Sequence, residues 1–498
     1  MGQGGPGNGA RQAVFPARKG GGGFGYNGGM TPPTEAVLSA LRAATRGAPY
    51  ENALYLVGGF VRDQAMGLPS ASDDLDIVLE GDAPALAQFF FDAGVAQHKP
   101  VVYPRFGTAM IIVEGRAVEL VTARTESYAP DSRKPEDIQP GTLAQDALRR
   151  DFTINTLLQN LHTGEITDPL GRAYADLEAG VIRTPTDARL TFQDDPLRML
   201  RAVRFAARFG FRIDPETWKA LRQSAPRLSI ISHERVRDEF SKTLLSTRPT
   251  LGLTLLLGSG LLAQFAPELV DMVGVTQNEF HAYPVWEHTL AALDALPEGA
   301  DLTLRLATLL HDIGKPPTRG VGGDGRVHFY GHQDVGAQRA RSLLTHLKFP
   351  GEIVHAVTTL VAQHMRIGEY RPMWSDGAVR RLIRDLGPHL DDLFALHRAD
   401  VAALAPEHRD ISRAGALRAR MDALQSAQDV AGLASPLDGA ALMRLLALPP
   451  GPAIGRLKDY LTNEVLEGRL AVGDTEGAAR LARAFHQSGQ GTGPRDGE

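Results

Sequence analysis

The sequence predicts an α+β protein: a small mixed β-sheet near the N-terminus, followed by a long all-α remainder. Three observations predict this. Short apolar runs bounded by turn residues are concentrated between residues 54 and 122. After Arg189 the texture becomes helical and stays so. A chain of 498 residues is too long for one core, so about two to four domains are expected.

Residues 1–33 are dominated by glycine with scattered Arg, Lys and Pro, and are expected to form a disordered tail; Met30 is an alternative start. Thr34 to Arg46 suits a leading helix. Leu54-Tyr-Leu-Val-Gly-Gly-Phe-Val-Arg-Asp63 then reads as a strand, a Gly-Gly turn and a helix start. Asp73-Asp-Leu-Asp-Ile-Val-Leu79 reads as a second strand. Strand side chains alternate faces, so Asp74 and Asp76 project together while Leu75 and Ile77 project oppositely. Paired carboxylates repel unless a cation lies between them. With Gly58, Gly59 and Arg62 nearby, the pattern points to a divalent metal and a nucleoside triphosphate.

A helix is expected over Ala83–Ala93, and strands over Val101–Tyr103, Thr108–Val113 and Val118–Thr122, with Glu114-Gly115-Arg116 turning between the last two. Glu119 has two readings: a third member of the acidic cluster, or a solvent-facing strand glutamate. Residues 125–146 read as a loop. Arg149-Arg-Asp-Phe-Thr-Ile-Asn155 follows; its arginines, Asp151 and Asn155 suit a phosphate and a ribose hydroxyl, or a surface ion-pair cluster.

The formal net charge of −5 argues against a generally nucleic-acid-binding surface. Arg183 to Lys242, however, carries 13 Lys and Arg against 8 Asp and Glu, enough to face a polyanion. The absence of cysteine excludes disulfides, zinc-thiolate sites and cysteine nucleophiles. No signal peptide is visible. The apolar run from Leu251 to Pro267 is shorter than the roughly 20 residues of a membrane span and is expected to be a buried helix. A cytoplasmic protein without membrane partners is expected.

Asp194-Asp-Pro-Leu-Arg198 carries an N-cap signal with Pro in the first turn. Asp195 and Arg198 are expected as neighbours on one helix face, with Arg201 and Arg204 continuing the row. A carboxylate beside a guanidinium matches the pairing edge of a base; the plainer reading is an ion pair. Arg235 and Glu239 are expected to pair along a later helix. His288, His311-Asp312 and Asp400, with His332 and His364 as further candidates, fall on helical stretches, the way a helix bundle assembles a metal site.

Taken in order, these motifs resemble those of the bacterial class II tRNA nucleotidyltransferases and their poly(A) polymerase relatives, over roughly residues 34–470. Leu56-Val-Gly-Gly-Phe-Val-Arg-Asp63 with Asp74 and Asp76 resembles the family's metal and triphosphate motif, and Arg149-Arg150-Asp151 its ribose motif. Asp168–Gly171 resembles its hinge. Asp194-Asp195-Pro-Leu-Arg198 resembles its amino-acid template, with Asp194 where the family usually has Glu. Arg235–Glu239 is similar to its helix-stabilising motif. Residues 270–400 resemble an HD phosphohydrolase domain, and 436–468 the distal RNA-binding tail.

The resemblance implies a DNA polymerase beta-like head at 34–160, a base-selecting and tRNA-binding neck at 161–250, an HD domain at 251–405, and an RNA-binding tail at 406–486 before a disordered end at 487–498. It implies Mg²⁺ at the head, with Asp74 and Asp76 catalytic and Glu119 a candidate third ligand or base. Gly58, Gly59, Arg62, Arg150, Asp151, Asn155, Asp195, Arg198, Arg201 and Arg204 would bind the nucleotide. A transition metal such as Ni²⁺, Mn²⁺ or Co²⁺ would occupy the HD site. The expected partners are the tRNA acceptor stem and elbow, CTP and ATP. Expected activities are CCA addition, in full or in part, and a second, hydrolytic one. Poly(A) synthesis, an HD phosphohydrolase as the main activity, and a non-catalytic RNA-binding protein are the competing classes. The loop between Ala123 and Leu148, with Asp137-Ile-Gln-Pro-Gly141, resembles loops of members that divide the task between a CC-adding and an A-adding enzyme, although Arg133-Lys-Pro135 partly restores the complete-enzyme pattern.

Overall fold

The computed structural model describes residues 32–69, 75–128, 135–427 and 434–488; Asp74, Arg133, Lys134 and the two tails at 1–31 and 489–498 lie outside them. Two compact units form: Met1–Ala179 with Arg183–Thr186, and Gly180–Ile182 with Asp187–Glu498.

The first unit opens with α1 (Pro32–Thr45), β1 (Tyr55–Val57), α2 (Gly59–Ala65), β2 (Leu75–Leu79), α3 (Ala83–Asp92), β3 (Val101–Tyr103), β4 (Thr108–Val113) and β5 (Arg116–Thr122). With β8 (Leu158–Asn160) and β9 (Ile166–Thr167) these strands build a seven-stranded sheet, ordered β3-β4-β5-β2-β1-β8-β9. It is mixed: β2 and β5 run parallel, the other pairs antiparallel. Leu75, Ile77, Val118 and Leu120 are buried, as are Leu86 and Phe90 of α3. Burial of these side chains, at about 25 cal/mol per Å² of apolar surface, fixes the register. Asp76 and Glu119 alternate with them and take the opposite face.

Several expectations are corrected here. Residues 125–146 are not a plain loop: β6 (Arg124–Tyr128) pairs antiparallel with β7 (Pro135–Pro140), and α4 (Leu143–Leu148) follows. Pro and Asp hid a ribbon that pairs only with itself. Thr142 and Gln145 start α4 with a reciprocal capping box. The hairpin turn is Glu114–Gly115 alone, because Arg116 already pairs with Val113. The boundary expected after 160 falls inside the β8–β9 hairpin, and the first unit continues through α5 (Ala173–Ala179).

The second unit is helical apart from two short strand pairs. β10 (Val181–Ile182) runs parallel to β11 (Arg212–Ile213). Around them lie α6 (Ala188–Asp194), α7 (Leu197–Phe209), α8 (Pro215–Ser224), α9 (His233–Leu244) and α10 (Pro249–Ser259). The boundary expected at 250 therefore cuts α10. The single helix expected over Leu251–Pro267 stops at Gly260 and resumes as α11 (Leu262–Phe265) and α12 (Pro267–Val270).

Next come α13 (Val285–Asp294), α14 (Leu302–Leu310), α15 (Lys315–Thr318), the antiparallel pair β12 (Gly320–Val321) and β13 (Val327–His328), then α16 (His332–His346), α17 (Gly351–Gln363), α18 (Asp376–Leu386) and α19 (Leu390–Ala402). Helices α20 (Ser412–Ala427), α21 (Gly439–Leu446), α22 (Pro452–Leu466) and α23 (Thr475–Gln487) complete the chain. Among the described residues, no helix is long and apolar enough to cross a membrane.

Candidate functional site

In the first unit, strand register brings the acidic residues together. Asp76 of β2 pairs in register with Glu119 of β5 and with Val57 of β1. Facing positions on neighbouring strands stand about 5 Å apart, so Glu119 joins Asp76 on one face. Its side chain is exposed. Asp74, one residue before β2, lies outside the described residues. Gly58 closes β1 at φ +78, a left-handed conformation favouring glycine; a Cβ there would sit 3.5 Å from Asp76 Oδ2 and 3.9 Å from Arg150 Nη1. The turn thus runs between a carboxylate and a guanidinium, with Gly59 opening α2. Close backbone approach by a phosphate suits this cradle.

Arg150 Nη2 donates to Asp146 Oδ2 at 2.9 Å, and its Nε is buried without a hydrogen-bond partner. Arg149 holds the other Asp146 oxygen at 2.8 Å. Asp146 is buried; burial alone would raise its pKa, but Arg150 and Arg149 outweigh it and hold the carboxyl below its ordinary value. Sequence reading missed Asp146, although its i,i+3 and i,i+4 spacing to the two arginines was available.

Arg62 differs from expectation. It is buried, with Nε and Nη2 on Asp63 Oδ1 and Nη1 donating to Asn155 Oδ1 at 2.7 Å. Asn155 Nδ2 donates in turn to Asp151 Oδ1 at 2.8 Å, which also accepts from the Phe152 amide. This buried network ties α2 to the segment following α4, so Arg62 and Asn155 are engaged inside the head. Asp63 was the member not singled out, because a charged residue on a short helix reads as exposed.

In the second unit, Asp195 is not on a helix face. It is extended (φ −141°, ψ 101°) between α6 and α7, and its Oδ1 accepts from the Leu197 amide at 3.1 Å. Pro196 is the reason: the residue before a proline is pushed out of the helical region. Asp195 Oδ2 faces Arg235 Nη2 of α9 at 3.2 Å. Arg198, on α7, reaches the Thr191 carbonyl at 3.4 Å. Glu239 is buried and bonds Arg204 Nε at 2.6 Å, with Arg201 at 3.9 Å. The i,i+4 partnership expected for Arg235 and Glu239 is replaced by pairing between α9 and the α6–α7 region.

Further along the second unit, three helices and two helix-end turns converge on six candidate ligands. His288 (α13), His311 after α14 and Asp400 (α19) offer ligand atoms within 4.8 Å of one another, as do Asp312, His332 (α16) and His364, which follows α17. His311, Asp312 and His364 sit just past helix ends rather than within helices, as expected of them. His311, His332 and His364 each donate Nδ1–H to a carbonyl, of Thr308, Phe329 and Val361, at 2.7–2.9 Å. Their Nε2 atoms are left as ligands.

His332 Nε2 and His364 Nε2 face each other at 3.2 Å. Burial keeps both rings neutral, with His364 pushed down to about 3. Two lone pairs cannot hydrogen-bond to each other, so the pair fits a cation. Asp312 and Asp400 are held well below the usual carboxylate range: burial opposes this, but His311 and His288 prevail. Lys315, also buried, places Nζ 2.7 Å from Asp312 Oδ2 and donates to Gln277 Oε1 at 2.6 Å.

Comparison with known proteins matches these regions. The Poly A polymerase head domain matches residues 54–183, the probable RNA and SrmB-binding site of polymerase A residues 210–272, and the HD domain residues 280–426. An A-adding tRNA nucleotidyltransferase of Deinococcus radiodurans is 36% identical over 88% of this chain and 96% of its own. A CC-adding tRNA nucleotidyltransferase of Thermus thermophilus is 38% identical over 69% of this chain and 77% of its own. The crystal structure of a Bacillus stearothermophilus CCA-adding enzyme in complex with CTP superposes with a TM-score of 0.64 at 24% identity, covering 93% of this chain and 99% of that one. The α+β fold is therefore the one expected, and the head and HD domains imply dependence on divalent metals.

Proposed function

Because the chain belongs to the tRNA nucleotidyltransferase and poly(A) polymerase family, we propose that it adds nucleotides of the CCA end to tRNA from CTP and ATP, in the cytoplasm and without a nucleic-acid template. The observation that carries this is the in-register pairing of Asp76 with Glu119 beside the Gly58 cradle and Arg150. The tRNA 3′-oxygen forms a bond to the α-phosphorus, the α–β phosphoanhydride bond breaks, pyrophosphate leaves, and the hydroxyl proton is lost. Mg²⁺ ions held by Asp74, Asp76 and Glu119 would lower the pKa of that hydroxyl and neutralise charge on the leaving phosphates. The backbone at Gly58 and Gly59 and the Arg150 guanidinium hold the triphosphate. Asp151, already fixed by Asn155, receives the ribose.

Asp195 and Arg198 select the base. Asp195 accepts from the exocyclic amine of cytosine or adenine, and Arg198 donates to the neighbouring ring nitrogen. Guanine and uracil present an acceptor to the carboxylate and are rejected, at about 1–3 kcal/mol per unsatisfied group. The arginine-rich neck and the tail helices receive the acceptor stem and elbow.

Incubating the protein with tRNA lacking its CCA end and CTP, ATP or both, then sizing products, tests the reading. Addition of all three nucleotides is the expected result. The strong matches to one A-adding and one CC-adding relative favour a second reading, in which only A or only CC is added; the same gel separates them. Long oligo(A) on generic RNA would refute both.

The HD cluster is proposed to hydrolyse a phosphate ester, 2′,3′-cyclic phosphates included. Water oxygen bonds to phosphorus, the ester P–O bond breaks and the alkoxide takes a proton. Ni²⁺, Mn²⁺ or Co²⁺ held by His288, His311, Asp312 and Asp400, with His332 and His364, would supply a hydroxide near neutral pH.

A further inference from the structure

The β12–β13 hairpin beside the HD cluster carries a feature that neither metal binding nor hydrolysis uses. The His328 ring lies against the backbone of Gly320, its cross-strand partner, so closely that a Cβ on Gly320 would come within 2.3 Å of it. On His328 lies the ring of Tyr330, with centroids 4.3 Å apart and planes 22° apart. Tyr330 is nonetheless 81% exposed. It is backed by a second ring seated on main chain.

The position of this stack is specific. Phe329, between the two rings in sequence, turns inward, is buried and lies 5.5 Å from Lys315 Nζ. Its carbonyl accepts Nδ1–H of His332, whose Nε2 belongs to the metal cluster. Tyr330 is two residues from His332, and two residues span at most about 7 Å, the scale of one nucleotide. Of the nearby cations, Lys315 is paired with Asp312 and Arg326 with Asp324 and Glu279; Arg319 brings a further positive charge to the same segment. A ring pre-stacked on one face and open on the other is a platform for a flat, electron-rich group. Beside a phosphate-ester site, that group is a nucleobase.

We infer that Tyr330, supported by His328, is the residue that stacks on the base of the substrate at the HD site. This rests on the phosphohydrolase reading above. It assigns binding to Tyr330 and leaves the hydrolytic step to the cluster. Stacking is indifferent to base identity, so purines and pyrimidines are both accepted, purines better for their larger faces.

The test uses the full chain loaded with Mn²⁺ and two probes, adenosine 2′,3′-cyclic phosphate and base-free glycerol 1,2-cyclic phosphate. The ratio of their kcat/KM values measures preference for the base. Tyr330→Ala is expected to lower this ratio roughly 5- to 150-fold, mainly through KM, and Tyr330→Trp to restore it. An unchanged ratio overturns the inference. If the parent hydrolyses neither probe, the phosphohydrolase reading fails by itself, and the platform is judged by binding. Adenosine 2′-monophosphate is then titrated with the head saturated by CTP. Weaker binding to Tyr330→Ala upholds the platform, and equal binding overturns it.

Discussion

Arg235 Nη2 lies 3.2 Å from Asp195 Oδ2, while the Leu197 amide holds Asp195 Oδ1. The carboxylate proposed to read the base is thus fixed in plane by two donors, one from its own turn and one from α9. Each carboxylate oxygen keeps a further lone pair for a base amine.

Arg235→Ala is expected to free that carboxylate. Incorporation of the correct nucleotide falls about 10- to 100-fold, and misincorporation of UMP or GMP rises. Stability changes little, because the pair is partly exposed. Single-nucleotide incorporation assays with all four triphosphates, alongside a melting curve, check this; a variant with parental selectivity would leave Arg235 a purely structural role.

Gly58→Ala should cost about 1–3 kcal/mol in backbone strain and place a methyl group in van der Waals contact with Asp76 and Arg150, on the surface where a phosphate would approach. Transfer to tRNA is expected to fall much further than stability. Incorporation rates beside chemical denaturation separate the two effects.

Asp146 gives a pH prediction. Its carboxyl pKa is depressed in the folded protein, so its stabilising contribution is complete above the ordinary value of 3.8 and is lost as pH falls through the lower folded value. Asp146→Asn removes a buried partner of two arginines and costs about 3 kcal/mol near neutrality. Below pH 4 the parent loses this advantage and the two stabilities converge. Denaturation between pH 3 and 7 reads the convergence; parallel curves would exclude it.

For the HD cluster, His364→Ala removes one of the two facing nitrogens. The protein is expected to retain fewer equivalents of Mn²⁺ than the parent by calorimetry, and chelation should lower the parent's Tm more than the variant's. tRNA extension is expected to persist through this change, since His364 is not among the residues proposed to hold the triphosphate, select the base or bind the head's ions.

Much of this architecture was legible in the chain. The alternation of Leu75, Ile77, Val118 and Leu120 announces strands, and the pair Asp74 and Asp76 announces their polar face. That Glu119 stands beside Asp76 was not legible, because spacing does not tell which strands are neighbours. The β6–β7 ribbon was hidden by Pro135, Pro140 and Asp137, whose types favour loops. Pro196 was read as a helix starter, which it is, but its effect on Asp195 was overlooked. Asp63 and Asp146 were invisible for one reason: burial of a charge depends on partners the fold supplies.

Strands β2 and β5 are the one parallel pair in the head sheet, and α3, β3 and β4 must be laid down between them. The acidic face is therefore completed only once β5 has emerged. A chain emerging from the ribosome has its Gly-Gly turn and first carboxylates early, yet no ion-holding face until β5 inserts beside β2. The metal site proposed for that face therefore cannot assemble on a head that lacks β5.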